Sequence, residues 1–129
     1  MTKTYLSWTD VESFVRTVAD TFKSKEVSGV YGIPRGGLTL GVMISHKMNI
    51  PLLLAPMDNC IIVDDIWDSG ESMMHYVNNS SAGEDKPTYY TITMMYNINS
   101  SDEFDSKACP NYYWGIKDKN WIVFPWENV

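Results

Sequence analysis

The chain has 129 residues, of which 44% are hydrophobic and 20% charged, and its formal net charge is −6. This size and composition indicate one globular domain, residues 1–129, with a core of ordinary extent. An acidic chain is a poor candidate for binding nucleic acid, which needs a basic face. No apolar run approaches the ~20 residues of a membrane span, and the N-terminus shows no leader pattern. We therefore expect a cytoplasmic protein with no membrane segment.

Predicted helices and strands alternate along the chain. A capping-box pattern at residues 9–12 predicts the start of a first helix. The apolar residues that recur there at helical spacing, and so predict its buried face, are Val11, Phe14, Val15, Val18, Ala19 and Phe22. Further helices are predicted at 38–48 and 70–78, strands at 27–33, 51–55, 60–65, 88–96 and 112–116, and polar loops at 78–86 and 97–110. The alternation favours a three-layer α/β/α fold with a mostly parallel sheet of about five strands.

Two predicted loops follow directly from strands, and both carry groups suited to an anionic ligand. Asp64 and Asp65 end a buried strand, and adjacent strand residues point to opposite faces, so the two carboxylates have different roles. The turn at 68–72 opens a helix, whose free N–H groups form an anion site. The segment 34–37 lies at the same edge of the sheet, where ligands of such folds bind. Carboxylates for sugar hydroxyls beside amides for a phosphate predict a phosphorylated ribose.

Three segments resemble type I phosphoribosyltransferases, in the order in which that family has them. Residues 61–72 resemble the phosphoribosyl-pyrophosphate signature, in which an apolar strand leads to two acids, two variable residues, Asp-Ser-Gly and a closing Ser. Residues 32–37, Gly-Ile-Pro-Arg-Gly-Gly, resemble the pyrophosphate loop, where family members often have a strained or cis peptide. Residues 121–127 resemble the base-binding tail of the xanthine/guanine/hypoxanthine branch, here extended to a tail of 117–129.

The resemblance covers nearly the whole chain and implies an activity. A phosphoribosyl group would pass from phosphoribosyl pyrophosphate to a purine base, with a 6-oxopurine favoured, releasing pyrophosphate and forming a nucleoside 5′-monophosphate in purine salvage. The resemblance also implies Mg²⁺ and a homo-oligomer, either a dimer or a tetramer. Asp64 and Asp65 would hold the ribose hydroxyls and the metal, mostly through substrate and water.

Further residue roles follow from the same resemblance. Asp68 would be catalytic, because a carboxylate beside the purine can handle its imidazole proton and stabilise positive charge in the transition state. The 5′-phosphate is assigned to Asp68, Ser69, Gly70, Glu71 and Ser72, the pyrophosphate to Arg35, Gly36 and Gly37, and the base to Trp121, Ile122 and Asn97.

Each role has a structural alternative. Asp68 precedes Ser-Gly before a helix and is also a good N-cap, and segment 34–37 also suits a plain strand–helix turn. Asp64 and Asp65 have an exposed position and a turn cap as their alternatives. Trp121 has core packing as its alternative, which is what we expect of Phe124 and Trp126.

Two departures from the family pattern bear on function. Asn97 stands where the branch usually has a Lys that contacts the exocyclic oxygen of the base. Residues 56–59 are few where many relatives carry a flexible loop that closes over the site, so water exclusion would be poorer. The alternative function is therefore a non-catalytic module that binds phosphoribosyl pyrophosphate or a nucleotide. Phosphoacceptor and P-loop enzymes are disfavoured, because Asp-x-Asp-Gly-Thr and Gly-x-x-x-x-Gly-Lys do not occur.

Overall fold

The computed structural model describes residues 2–78, 88–99 and 109–127. Most of the two predicted polar loops, 78–86 and 97–110, lies outside these described residues. The strands are β1 (Lys3–Tyr5), β2 (Val30–Gly32), β3 (Cys60–Trp67), β4 (Tyr89–Asn97), β5 (Tyr112–Lys117) and β6 (Trp121–Val123). The helices are α1 (Trp8–Phe22), α2 (Gly36–Met48) and α3 (Glu71–Asn78).

The central sheet has four parallel strands in the order β2-β3-β4-β5. Its middle strand β3 places Val63 beside Gly32 of β2 and Asp64 beside Thr93 of β4. Because parallel strands run in one direction, the carboxyl ends of β2, β3 and β4 lie at one edge of the sheet. A separate two-stranded parallel sheet joins β1 to β6, at opposite ends of the chain.

Helices cover both faces of the central sheet. Alternate residues of β3 point to opposite faces, so Ile61 and Val63 join the core formed with α1 and α2. Cys60 and Ile62 join a second cluster that includes Met73 of α3. The three-layer α/β/α arrangement predicted from the sequence is therefore confirmed. The predicted apolar face of α1 is buried, except that Ala19 is only partly so.

Three local predictions were wrong. The capping box lies two residues earlier than predicted, with the Ser7 hydroxyl accepting from the Asp10 N–H at 3.1 Å and the Ser7 N–H donating to Asp10 Oδ2 at 2.8 Å. Residues 51–55 form no strand and contribute a single bridge from Leu52 to Val30, since Pro51 has no N–H for a ladder. Strands β1 and β6 were not predicted, because three-residue strands carry too little alternation to be recognised.

The two cysteines do not pair, and no membrane segment is found in the part of the chain that the structure describes. Cys60 is buried, Cys109 is exposed and both are free thiols. Within the described ranges, no helix is both long enough and apolar enough to cross a bilayer.

Candidate active site

A cavity of about 280 Å³ opens at the carboxyl edge of the central sheet. It lies between the turn that connects β2 to α2 and the turn that connects β3 to α3. Its lining residues are Ile33, Pro34, Arg35, Gly36, Asp64, Asp65, Ile66, Trp67, Asp68, Ser69, Gly70, Glu71, Ser72, Met73 and Thr93. The fold thus joins most of the proposed pyrophosphate loop to the whole acidic signature, although the two segments are distant in sequence.

The β2–α2 turn packs directly against the acid pair. The peptide bond between Pro34 and Arg35 is cis, as the resemblance led us to expect, and the Arg35 side chain is exposed. A Cβ atom at Gly36 would overlap the Asp65 carboxylate, so only glycine permits this approach. The Gly37 N–H donates to the Ile33 carbonyl at 2.8 Å and starts α2. The turn is therefore shaped around Asp65, which a plain strand–helix connection does not require.

Asp64 and Asp65 are both partly buried at the end of β3, so Asp64 is not the merely exposed residue of the alternative interpretation. Asp64 Oδ1 accepts from the Asp65 N–H at 2.8 Å, and Asp65 Oδ1 accepts from the Ile66 N–H at 2.8 Å. Burial raises the pKa of Asp64 to about 8, with the negative charge of Asp65 as the second cause. Burial also raises the pKa of Asp65, and the charge of Glu127 adds to this increase. Both carboxylates would gain from a cation or from hydroxyl donors in the cavity.

The β3–α3 turn has the conformation expected of an anion-binding loop. Gly70 has φ +83°, in the left-handed region, and a Cβ there would lie 2.5 Å from ring atom Cζ2 of Trp67. Only glycine meets both conditions. The Ser69 hydroxyl accepts from the Glu71 N–H at 3.3 Å, and Glu71 and Ser72 begin α3 with exposed side chains. The positive end of α3 thus faces the cavity, where a phosphate would be stabilised.

Asn97, the last residue of β4, holds the Asp68 carboxylate. The Asn97 amide donates through Nδ2 to Asp68 Oδ1 at 2.6 Å, and Asn97 Oδ1 accepts from the Asn99 N–H at 2.9 Å. The second bond fixes which end of the amide faces Asp68. Ser69 accepts the capping hydrogen bond from the Glu71 N–H, in place of Asp68. The Asp68 carboxylate is directed toward Asn97 instead. The structure therefore brings a predicted base-binding residue into contact with the predicted catalytic residue.

Part of the predicted site does not line the cavity. Among the described residues that line the cavity, Trp121, Ile122, Asn97 and Gly37 are absent. Trp121 is 55% exposed, so the core-packing alternative is wrong for this side chain, whereas the Ile122 side chain is buried in the core. Phe124 and Trp126 stack at a centroid distance of 5.0 Å, which confirms their predicted packing role.

Asp64 and Asp65 fit a magnesium ion that keeps several waters and is bound partly by substrate oxygens. Within the described part of the chain, no three His, Cys, Asp or Glu side chains are arranged to hold a metal ion. Mg²⁺ in phosphate chemistry commonly keeps several waters and is bound by one or two carboxylates plus substrate oxygens. Asp64 and Asp65 meet that requirement, since they line the cavity and their pKa values are raised by burial.

Thr93 is a cavity residue that the sequence did not reveal. It lies on β4 beside Asp64, is fully buried and lines the cavity. Threonine is a typical strand residue, so its place in an apolar strand gave no signal. Glu127 was also missed as an electrostatic neighbour of Asp65, because the tail was considered only for the base.

Neither protein-family models nor curated proteins match this chain. Solved structures do match it. A purine phosphoribosyltransferase from Pyrococcus horikoshii Ot3 has a TM-score of 0.77 and 24% identity over 100% of this chain and 97% of that one. This chain has the phosphoribosyltransferase fold.

Two further structures have the same fold. The xanthine-guanine-hypoxanthine phosphoribosyltransferase of Helicobacter pylori has a TM-score of 0.73 and 18% identity, covering 98% of this chain and 94% of that one. A hypothetical protein from Neisseria gonorrhoeae with bound ppGpp has a TM-score of 0.75 and 15% identity, covering 99% of this chain and 90% of that one. At these identities the likeness shows the fold, and the chemistry has to be argued from the cavity.

Proposed function

We propose that this protein transfers the phosphoribosyl group of phosphoribosyl pyrophosphate to a purine base, with a 6-oxopurine favoured. The products are pyrophosphate and a nucleoside 5′-monophosphate, as in purine salvage. One observation carries the proposal: a single cavity is lined by the partly buried acid pair, by the turn at the start of α3 and by Arg35 and Gly36 of the Arg-Gly-Gly loop. Two of the structures with this fold are named as purine phosphoribosyltransferases, which supports a purine as the acceptor.

The geometry suggests how the work is divided within the cavity. Asp64 and Asp65 would accept hydrogen bonds from the ribose hydroxyls, and Mg²⁺ would supply positive charge between these acids and the pyrophosphate. The turn at 68–72 would bind the 5′-phosphate, and Arg35 with Gly36 and Gly37 would bind the pyrophosphate.

The reaction would exchange one bond at the anomeric carbon for another. The bond from this carbon to pyrophosphate breaks, the bond to a purine nitrogen forms, and the proton on the purine imidazole passes to Asp68. Asn97 would hold the Asp68 carboxylate in place through its 2.6 Å bond. The exposed Trp121 would stack on the base, with Ile122 contributing backbone contacts.

A cytoplasmic location and a homo-oligomer, dimer or tetramer, remain proposals. Exposed apolar side chains of and after α2 support an oligomer, because an interface between chains would cover them. They include Leu38 at 43%, Val42 at 39% and Leu54 at 98% exposure. Light scattering after size exclusion would give the assembly size.

The direct test is pyrophosphate release from phosphoribosyl pyrophosphate and Mg²⁺, measured in parallel with guanine, xanthine, hypoxanthine and adenine. We expect release that depends on both the base and the metal, with a 6-oxopurine preferred. A matched preparation of the Asp68→Asn variant controls for contaminating transferases. Silence with all four bases, from protein shown to be folded, would reject the purine transferase.

A second function is favoured by the Asn97–Asp68 bond, because Asn97 replaces the Lys that contacts the base in the resembled branch. The protein would then bind phosphoribosyl pyrophosphate or a nucleotide without turnover. The Neisseria gonorrhoeae protein with bound ppGpp shows that a protein of this fold has been found with a nucleotide. Calorimetry with phosphoribosyl pyrophosphate and with ppGpp, on protein that releases no pyrophosphate, separates this function from the first.

A further inference from the structure

The Thr93 hydroxyl is buried and has no hydrogen-bond partner among the described residues. The residue has 0% exposure, and within the described structure Oγ1 makes no hydrogen bond. A buried polar group without a partner costs free energy, and native proteins rarely leave one. The position of Thr93 therefore requires an explanation that packing alone does not provide.

Thr93 forms part of the wall of the cavity. Thr93 lines the cavity and is the register partner of Asp64 on the neighbouring strand, so the two side chains share one face of the sheet. Of the other cavity residues, Ile33, Trp67 and Met73 belong to the apolar cluster on this face of the sheet. Trp121 is not among the described residues that line the cavity. Thr93 therefore lines the cavity beside Asp64, and Trp121 does not share this wall.

We propose that Thr93 is a ligand-binding residue whose hydroxyl bonds to an oxygen of the bound phosphoribosyl group. The identity of the ligand rests on the proposed function. The inference that a ligand binds here rests on the hydroxyl, which has no partner among the described residues. The free protein carries the cost of the unsatisfied group, and ligand binding removes it. Thr93 thus contributes to affinity for the sugar phosphate while it slightly lowers the stability of the free protein.

The chain offers a matched pair of threonines for the test. Thr91 lies two residues earlier on β4 and points to the same face, but its hydroxyl is satisfied: it bonds to Asn111 Oδ1 at 3.1 Å and accepts from the Asn111 N–H at 3.0 Å. Valine keeps the shape of threonine and removes only the hydroxyl. The experiment compares Thr93→Val, Thr93→Ser and Thr91→Val by calorimetry and thermal unfolding.

The two valine substitutions have opposite expected effects on ligand affinity and on the Tm. Thr93→Val weakens binding of Mg²⁺-phosphoribosyl pyrophosphate and of ribose 5-phosphate about tenfold, leaves pyrophosphate binding unchanged, and keeps or raises the Tm of the free protein. Thr93→Ser restores most of the affinity. Thr91→Val lowers the Tm and leaves all three affinities unchanged.

Each contrary outcome has a distinct meaning. If the wild type binds ribose 5-phosphate and Thr93→Val binds it equally well, the role of Thr93 is rejected and the proposed function is untouched. A fall in the Tm of free Thr93→Val also rejects it, since the hydroxyl would then have a structural partner. If the wild type binds neither sugar phosphate, both proposals fail. If it binds them without releasing pyrophosphate for any base, only the transferase fails.

Discussion

Asp68 and Asn97 are the pair of residues from which the proposed proton transfer can be tested. Asp68→Asn keeps the shape of the side chain but removes the basic carboxylate that would take the purine proton. We expect kcat to fall about 10²- to 10⁴-fold, the usual contribution of a positioned general base. The affinity for phosphoribosyl pyrophosphate is expected to change little, because the acid pair and both anion loops remain. Steady-state kinetics beside calorimetry would separate the two effects.

A matched variant distinguishes chemistry from positioning. Asn97→Ala leaves the Asp68 carboxylate in place but removes the donor that holds it at 2.6 Å. It should lower kcat by a smaller factor than Asp68→Asn does. Turnover by Asp68→Asn at the wild-type rate would refute the role assigned to Asp68.

The raised pKa of Asp64 makes the free energy of unfolding depend on pH. Burial raises its pKa to about 8 from an ordinary value of 3.8, so the folded protein holds a proton that the unfolded chain releases. The stabilisation from this proton is complete below pH about 4 and is lost as the pH rises toward about 8. Asp64→Asn resembles the protonated side chain at every pH. Its advantage in the free energy of unfolding over the wild type should therefore grow by about 1–3 kcal/mol between pH 5 and pH 8.

Urea unfolding at several pH values provides the measurement. The value at pH 5 serves as the reference, because most of the pH range over which the wild type loses this stabilisation lies above it. An advantage of Asp64→Asn that stays constant across the range would show that the carboxyl is not held protonated by burial.

What the sequence revealed about single residues depended on their chemistry. Two adjacent acids at the end of an apolar strand are unusual enough to predict a site, and Asp64 and Asp65 do line the cavity. Thr93 contributes to the same cavity but is an ordinary strand residue, so nothing in its type distinguishes it. The contact between Asn97 and Asp68 depends on how two strands are joined, which a linear motif does not contain.

The turn between β3 and α3 requires glycine at one position. Gly70→Ala would place a Cβ against the Trp67 ring and force alanine into a left-handed conformation. We expect a loss of about 1–3 kcal/mol in the free energy of unfolding and weaker binding of ribose 5-phosphate, since the helix N-terminus would shift. Thermal unfolding and calorimetry would measure the two effects.

Gly115 of β5 supplies the control for this substitution. An added Cβ there would meet the Met95 side chain, with Sδ at 2.8 Å, and a flexible methionine can move. Gly115→Ala should leave ribose 5-phosphate binding unchanged. If Gly70→Ala binds the ligand as tightly as the wild type, the turn does not bind the phosphate.

Strand β6 presents Trp121 on its exposed side, and this exposure predicts a specific binding defect. Trp121→Ala should raise the KM for the base about tenfold, as expected from the loss of one stacked aromatic ring. The affinity for phosphoribosyl pyrophosphate should stay the same, because Trp121 is not among the described residues that line the cavity. The reverse pattern of effects would exclude base stacking.

At the level of elements, helices were more predictable than short strands. The apolar face of α1 repeats over four turns and was recognised, although its cap was displaced by two residues because Ser7 and Thr9 both suit an N-cap. Strands β1 and β6 pair across almost the whole sequence, and neither has enough residues to show a pattern. Leu52 forms only a single β-bridge, with Val30, since Pro51 interrupts the hydrogen-bond ladder.

The molecule as a whole carries a formal charge of −6, yet its proposed substrate is a polyanion. The positive end of α3 and the exposed Arg35 supply part of the opposing charge at the cavity. The acid pair works in the opposite direction, because its carboxylates ionise only at a cost while the cavity is free of cations. Binding of a divalent cation and binding of phosphoribosyl pyrophosphate should therefore be cooperative.

This cooperativity predicts how ligand removal changes the stability of the whole protein. At pH 7, Mg²⁺ and phosphoribosyl pyrophosphate together should raise the Tm by roughly 10 °C at a ligand concentration of about 100 times Kd. The shift should exceed the sum of the shifts that each produces alone, because the cation offsets the repulsion between the substrate and the acid pair, and the substrate supplies further oxygen ligands to the cation. Chelation with EDTA should remove most of the increase, and Asp64→Asn should reduce the excess over additivity, since that variant cannot offer the cation an ionised carboxylate at position 64. Thermal unfolding with each ligand alone and with both would show the effect, and an equal shift with and without EDTA would mean that phosphoribosyl pyrophosphate is held without a metal.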